Sequence, residues 1–289
     1  MALNSPSHRF GQMIGDVLED TMIKYLQPVA EKYSLYLDYR HARSARNGRK
    51  EVRWVDVNGN THKLDIVMEK NGDEARLGEP RVFIEIAWRR YTKHSKNKAQ
   101  EISGAIQPLI AKYSSFTPFF GAIVAGVFTQ NSLNQMTSEG FEVVYIPIEI
   151  IEKAFNVVGI DAHWEENTQE HILQEKIDAY GRLSCFEVEK LKDELIKLTS
   201  EQLGAFRLKL CNSLERKIES IRIMSMFGDE SAFSNVNEAC TFIATFNEKD
   251  GRFKFYKFEI YVRYSNGDKL EAQYTEKSNA IAFLQSIGR

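Results

Sequence analysis

Cysteine is scarce and poorly placed for cross-linking: Cys185, Cys211 and Cys240 are odd in number and far apart in the chain. That excludes a disulfide framework and a zinc knuckle, and predicts buried thiols. His8, His41, His62, His94, His163 and His171 are just as scattered, with no pair at metal-ligand spacing, so a transition-metal site is not expected. No apolar run approaches the roughly 20 residues that span a bilayer. The opening MALNSPSHRFGQ lacks the basic-then-apolar build of a signal peptide. Together these absences predict a cytoplasmic protein with no membrane partner. Neither sign of charge is in excess, the formal net charge being −2, so any attraction to nucleic acid must come from local clusters. Internal repeats and low-complexity linkers are also missing from this reading.

What is present is the composition of an ordinary globular chain, with 43% hydrophobic and 27% charged residues. Its 289 residues suffice for one large domain, or for one of about 150 residues with a smaller partner. The informative stretch is Lys63 to Gln100. On the strand RVFIEIAW, alternation puts Val82, Ile84 and Ile86 on one face and Phe83, Glu85 and Ala87 on the other. Glu85 thus falls inside an apolar run, as does Asp65 between Leu64 and Ile66. A carboxylate there must be paired, protonated or bound to a cation. Two readings follow. Either Asp65 ends a strand and Glu85 pairs with an arginine, or adjacent strands bring both acids to one hard cation such as Mg²⁺, suited to phosphate chemistry.

Two basic runs flank these strands. The first holds Arg40, Arg43, Arg46, Arg49, Lys50 and Arg53 against the single acid Glu51; the second holds Arg89, Arg90, Lys93, Lys96 and Lys98 with no acid. They are either solvated loop charge or a phosphate-binding surface.

Along the chain, apolar residues at three- and four-residue steps predict a first helix from Phe10 to Gln27, ended by Pro28, with Glu19 at the border of its apolar stripe. Strands follow over 33–39, 51–57 and 61–68, the last carrying Asp65, and over 81–88, carrying Glu85. A helix over 95–113, an apolar strand over 119–128, a short helix, a strand over 141–147 and a closing helix complete an α/β domain ending near residue 160. Residues 161–289 are expected to hold charged amphipathic helices and a small α+β part. A capping box at Thr199–Gln202 opens a helix whose stripe runs from Leu203 through Ile218 to Ile221. A three-stranded meander over 239–274, with turns at Asp250-Gly251 and Asn266-Gly267, is closed by a helix over 278–287.

In this order of elements, and in an Asp on one core strand followed by the triplet Glu85-Ile86-Ala87 on the next, the first 150 residues resemble the PD-(D/E)XK nuclease superfamily. The resemblance implies a restriction-endonuclease-like mixed sheet flanked by helices. It implies Asp65 and Glu85 as ligands of Mg²⁺, Glu19 as the helix acid, and Gln100 as a polar residue on the following helix. Ala87 departs from the pattern, standing where the family has a lysine. Lys96 or Lys98 is expected to supply that charge, with Arg89 contacting phosphate.

The implied activity is a Mg²⁺-dependent endodeoxyribonuclease of restriction or defence type, with no small-molecule cofactor. Its DNA would be bound by the arginine-rich segment from Arg40 to Arg53 together with Arg89, Arg90 and Lys93. Cleavage of both strands requires two sites, hence an expected homodimer, with the C-terminal helices as its interface. The alternative suggested by Ala87 is a DNA-binding protein that keeps the fold without catalysis.

Overall fold

Ser5 opens α1 (Pro6–Lys32). Its hydroxyl accepts from the His8 amide, and Pro6 occupies the first helical position, where no intrahelical N–H bond is required. The computed structural model describes residues 5–91, 95–225, 230–248, 255–265 and 267–288. α1 does not stop at Pro28 but runs through it to Lys32. Val29 and Ala30 are buried beyond it, which offsets the hydrogen bond that proline cannot make.

β1 (Leu35–Asp38) is followed by a two-stranded hairpin of β2 (Val52–Val55) and β3 (Thr61–Leu64), and then by β4 (Ile66–Lys70), which pairs with β1. The strand expected over 61–68 is therefore two strands. They meet at Asp65, the corner where the chain leaves the hairpin and enters the main sheet. β5 (Glu79–Arg89), β6 (Phe119–Gly126) and β7 (Glu142–Pro147) complete a five-stranded sheet in the order β1-β4-β5-β6-β7. Its pairings are antiparallel from β1 to β5 and parallel from β5 to β7. The parallel steps need crossovers, supplied by α2 (Ser95–Lys112) and α3 (Gln130–Ser138), while α4 (Ile148–Asn156) follows β7.

Side-chain alternation on β5 sorts the two faces. Phe83 and Ala87 share a buried cluster with Ala122 and Val124 of β6 and with Ala99, Ile102 and Ile106 of α2. Trp88, of opposite parity, lies against α1 at Gly11 and Gly15. The sheet is thus flanked by helices, as the sequence predicts. At the end of β6, Gly126 has φ of 98°, and a Cβ there would fall 2.1 Å from the Arg89 carbonyl oxygen. The Val127 amide donates to that same oxygen at 2.8 Å. Only glycine permits so tight an anchor for the C-terminal end of β5.

The chain divides into two compact units, Met1–Leu210 and Cys211–Arg289. The boundary lies later than residue 160 because α5 (Glu170–Gly181) and α6 (Cys185–Leu198) pack against α1. Leu173, Leu191 and Leu195 are buried, and Lys24 of α1 reaches Glu189 and Asp193 of α6 at 2.7 Å each. The capping box belongs to α6, between Ser184 and Glu187. Thr199 does stand just before the next helix, its carbonyl accepting from the Leu203 amide at 2.9 Å, but its hydroxyl turns back to close α6 and donates to the Leu195 carbonyl at 2.6 Å. α7 (Ser200–Leu214) ends before Ile218 and Ile221, which belong to β8.

The second unit is a four-stranded antiparallel sheet, ordered β11-β10-β8-β9, rather than a three-stranded meander. Two successive ββα halves build it: β8 (Ile218–Met224), β9 (Glu230–Phe233) and α8 (Val236–Thr245), then β10 (Phe258–Tyr264), β11 (Lys269–Tyr274) and α9 (Lys277–Ile287). Their shared core pairs Ile221, Ile223, Ala239 and Ile243 with Ile260, Val262, Ala280 and Leu284. This is an internal structural repeat, hidden in the sequence because period-2 and helical patterns alternate within each half. The expected turn at Asp250-Gly251, and Asn266 of the other, lie outside the described residues. Cys185 is exposed and Cys211 and Cys240 are partly exposed, so the expected full burial does not hold. Among the described residues, no helix is long and apolar enough to cross a membrane.

Candidate active site

Pairing between β4 and β5 stops at Ile66 and Ile84. One residue earlier, at the corner between β3 and β4, Asp65 uses its carboxylate where a strand would continue the ladder: Oδ2 accepts from the Ile86 amide at 2.7 Å. The break in the strand therefore sets Asp65 beside Glu85 and Ile86. Glu85, 5% exposed, lies with Phe83 and Ala87 on the face covered by α2, and its Oε1 is buried without a hydrogen-bond partner among the described residues. Burial is the largest cause raising the Glu85 carboxyl well above the usual range, followed by the charge of Asp65. Asp65 is also raised by burial, against which the Ile86 amide and the charge of Lys98 act.

From the other side of the sheet α1 contributes Glu19. Burial, and then the charges of Asp65 and Asp16, push its carboxyl up to about 7, opposed by Arg40. Asp65, at the β3–β4 corner, thus lies within electrostatic reach of Glu19 on α1 and of Glu85 on β5, and its charge adds to the burial that disfavours each of them as an anion. Lys98, in the first turn of α2, is the basic side chain whose charge acts on both Asp65 and Glu85. Its ammonium also pairs with Glu101 at 3.0 Å, and its side chain is 15% exposed. The lysine absent at Ala87 has a positional counterpart here: Ala87 and Lys98 line the same cleft.

Not every predicted residue joins this cluster. Lys96 and Gln100 are exposed on α2, because a helix that turns Lys98 inward turns positions two residues either side outward. Arg43 and Arg46 are corrections to the expected DNA-contacting set. Arg43 is fully buried, paired with Glu69 at 2.6 Å and Asp38 at 2.8 Å, and it donates to the carbonyls of Asp73 and Arg76. Arg46 is buried against Asp38 and donates to the His41 carbonyl at 2.6 Å. Two acids on adjacent strands of the sheet required two internal cations, so these arginines hold the 40–50 and 71–78 loops rather than face outward.

Arg53 pairs with Glu51, while Arg49 and Lys50 are exposed. Arg40, also exposed, acts electrostatically on Asp16 and Glu19. Arg90 donates through Nε to the Trp164 carbonyl at 2.9 Å, and Arg89 donates to the Trp88 carbonyl at 2.8 Å. Lys93 lies outside the described residues.

A cleft of about 450 Å³ extends from Glu19 and Lys98 past the end of β5 to Trp164, with Arg89 and Arg90 in its lining. Trp164 and Trp88 were not singled out from sequence. Trp164 is some 75 residues from Arg90 in the chain, and only the fold unites them. The stripe of α1 that lines the cleft did have a local signal, the four-residue spacing of Gly11, Gly15 and Glu19.

Among the described residues no three His, Cys, Asp or Glu side chains form a ready metal cage. The donors nonetheless suit Mg²⁺, which takes one or two carboxylates and keeps several waters. Asp65 and Glu85 offer hard oxygens, one of them the Oε1 of Glu85, unpartnered among the described residues, and added positive charge would offset the repulsion by which Asp65 raises Glu19 and Glu85.

The chain matches no protein-family model and no curated protein. Among solved structures it is similar to a protein of unknown function, AF1548, at 9% identity and a TM-score of 0.30, covering 65% of this chain and 98% of that one. At that score the likeness carries neither fold nor function across.

Proposed function

We propose that the protein is a Mg²⁺-dependent endodeoxyribonuclease of the PD-(D/E)XK kind, with its active site where the β4–β5 pairing ends. The observation that carries the reading is the pair Asp65 and Glu85 with the charge of Lys98 acting on both and Glu19 within electrostatic reach of Asp65, one buried carboxylate oxygen being without a partner among the described residues. A core built only for stability gains nothing from placing one acid where it raises the pKa of two others, and such grouping supports a site adapted to a positive ligand.

Asp65 and Glu85 would hold the metal, and Glu19 its water shell. Bound there, Mg²⁺ lowers the pKa of an attacking water and neutralises charge developing on the phosphate. Lys98 takes the part left vacant by Ala87. Its ammonium orients the attacking water and offsets phosphate charge, a role that needs position more than proton affinity. Arg89 keeps donors beyond the one given to the Trp88 carbonyl and can contact a phosphate oxygen.

The test is incubation of plasmid and structured DNA substrates with the full chain and Mg²⁺, beside EDTA and the Asp65→Ala and Glu85→Ala variants. Metal-dependent products that both substitutions abolish support the reading. Equal products from wild type and both variants would defeat it, as would no metal-dependent product on any substrate.

A further inference from the structure

The cleft beside the acids is larger than one phosphate requires, and along its α1 wall, which His8, Gln12 and Asp16 also line, runs a stripe with little side chain. Ser7, Gly11, Gly15 and Glu19 recur at four-residue steps and all line it, so one stripe of the helix carries two glycines and then the acid. Glycine inside a helix is unfavourable, and nothing local demands it here. Neither residue has the positive φ that would call for glycine. A Cβ on Gly11 would lie 3.7 Å from Trp88 Nε1 and one on Gly15 4.0 Å from Trp88 Cβ, ordinary contacts both. What the two glycines do is leave space in which a ligand can approach the helix backbone closely.

The far wall is pre-ordered. Arg90 is tied to the Trp164 carbonyl with its guanidinium 5.2 Å from the Trp164 ring centre, and Phe10 meets that ring edge-on at 4.9 Å. Trp164 is 3% exposed. The volume, about 450 Å³, falls in the range of about 300–1,000 Å³ typical of clefts that enclose a single small ligand. It is far too small for a length of duplex. Meanwhile Arg43 and Arg46, two of the six basic residues expected to bind DNA from the 40–53 segment, are spent inside the protein.

We propose that this cleft receives one unpaired nucleotide next to the scissile phosphate, so that the substrate is DNA bearing a single-stranded or extruded nucleotide rather than continuous duplex. The inference rests on the nuclease reading for the identity of the ligand, and on the cleft itself for its unpaired state. Enzymes that act on a base or strand out of the stack need such a one-nucleotide pocket, and its occupancy favours DNA already unpaired.

The experiment uses the full chain with Ca²⁺ in place of Mg²⁺ and three fluorescent oligonucleotides of one sequence: a single strand, a matched duplex, and a duplex with a one-nucleotide bulge. Single strand and bulge are expected to bind about 10-fold or more tightly than matched duplex, the scale of one base's contacts. Gly15→Leu, which fills the cleft, should erase that preference, whereas Gly15→Ala keeps it. Gly11→Leu, one turn away, serves the same purpose if Gly15→Leu melts early. Equal binding of matched duplex by the wild type overturns the proposal, and so does a preference that survives both leucine variants. A leucine-sensitive preference without Mg²⁺-dependent cleavage of any probe sinks the catalytic reading and leaves the cleft proposal standing. Cleavage with no such preference does the reverse.

Discussion

Replacing Glu19 with glutamine removes one of the three repelling acids while keeping its size. In the metal-free protein the Glu19 carboxyl sits near 7 instead of near 4.5, chiefly through burial and the charges of Asp65 and Asp16. A raised carboxyl favours the protonated form in the folded state. The anion therefore destabilises the fold by an amount that is absent below about pH 4.5, grows as pH rises toward 7, and levels off above it. That displacement is equivalent to ~3.5 kcal/mol at about 1.4 kcal/mol per pH unit, and solvent screening at this partly exposed side chain reduces it to ~1–2 kcal/mol. Glu19→Gln should accordingly melt about 2–8 °C higher than wild type at pH 7.5 in EDTA, given ~2–4 °C per kcal/mol for a unit of this size. Below pH 4.5 the two should coincide. Adding Mg²⁺ should stabilise the wild type more than the variant, because the acid that repels its neighbours is the one that favours the cation. Differential scanning fluorimetry across pH, with EDTA or Mg²⁺, reads all of this. A variant that melts lower than wild type in EDTA at every pH would show that Glu19 has a favourable partner and that the three acids are not in tension.

Two further expectations separate the site from its surroundings. Lys98→Ala should lower the rate of Mg²⁺-dependent cleavage about 100-fold or more, the scale of a lost catalytic group, whereas Lys96→Ala, exposed on the same helix, should stay within a few fold of wild type in the same single-turnover assay; equal losses would remove the assignment. Arg43→Ala should cost roughly 3–5 kcal/mol in a urea melt, because Asp38 and Glu69 lose their buried counter-charge; a variant of unchanged stability with weakened DNA binding would return Arg43 to the DNA-contacting set.

Much of the first unit was legible because its signals are local. Alternation located Glu85 within an apolar strand, helical spacing located Glu19 on α1, and the order of helices and strands gave the mixed sheet. The placement of α2 narrowed the choice between Lys96 and Lys98, since only one of two side chains two residues apart can face the sheet. The errors came where tertiary contacts overruled local pattern. Pro28 was read as a stop, yet the buried residues beyond it keep α1 going. Thr199 does precede α7 as its pattern predicts, but its hydroxyl is spent on the Leu195 carbonyl of the helix before it rather than on a capping box. The stretch over 61–68 has the composition of one strand, but the main sheet takes only its second half.

What the sequence by itself determined was the set of side chains that had to be compensated: acids within apolar strands, and basic runs beside them. Composition and periodicity suffice for that, because burial follows from neighbours in the chain. Which cation compensates which acid was decided only by the tertiary structure. Asp38 and Glu69 took Arg43 and Arg46 into the interior, a balanced pairing that removed the arginines most suggestive of DNA contact. Among the described residues, Asp65 and Glu85 received the charge of one lysine from the next helix, and Glu19 that of Arg40. Charge balance at a buried point depends on residues separated by tens of positions in the chain, and no local pattern records it.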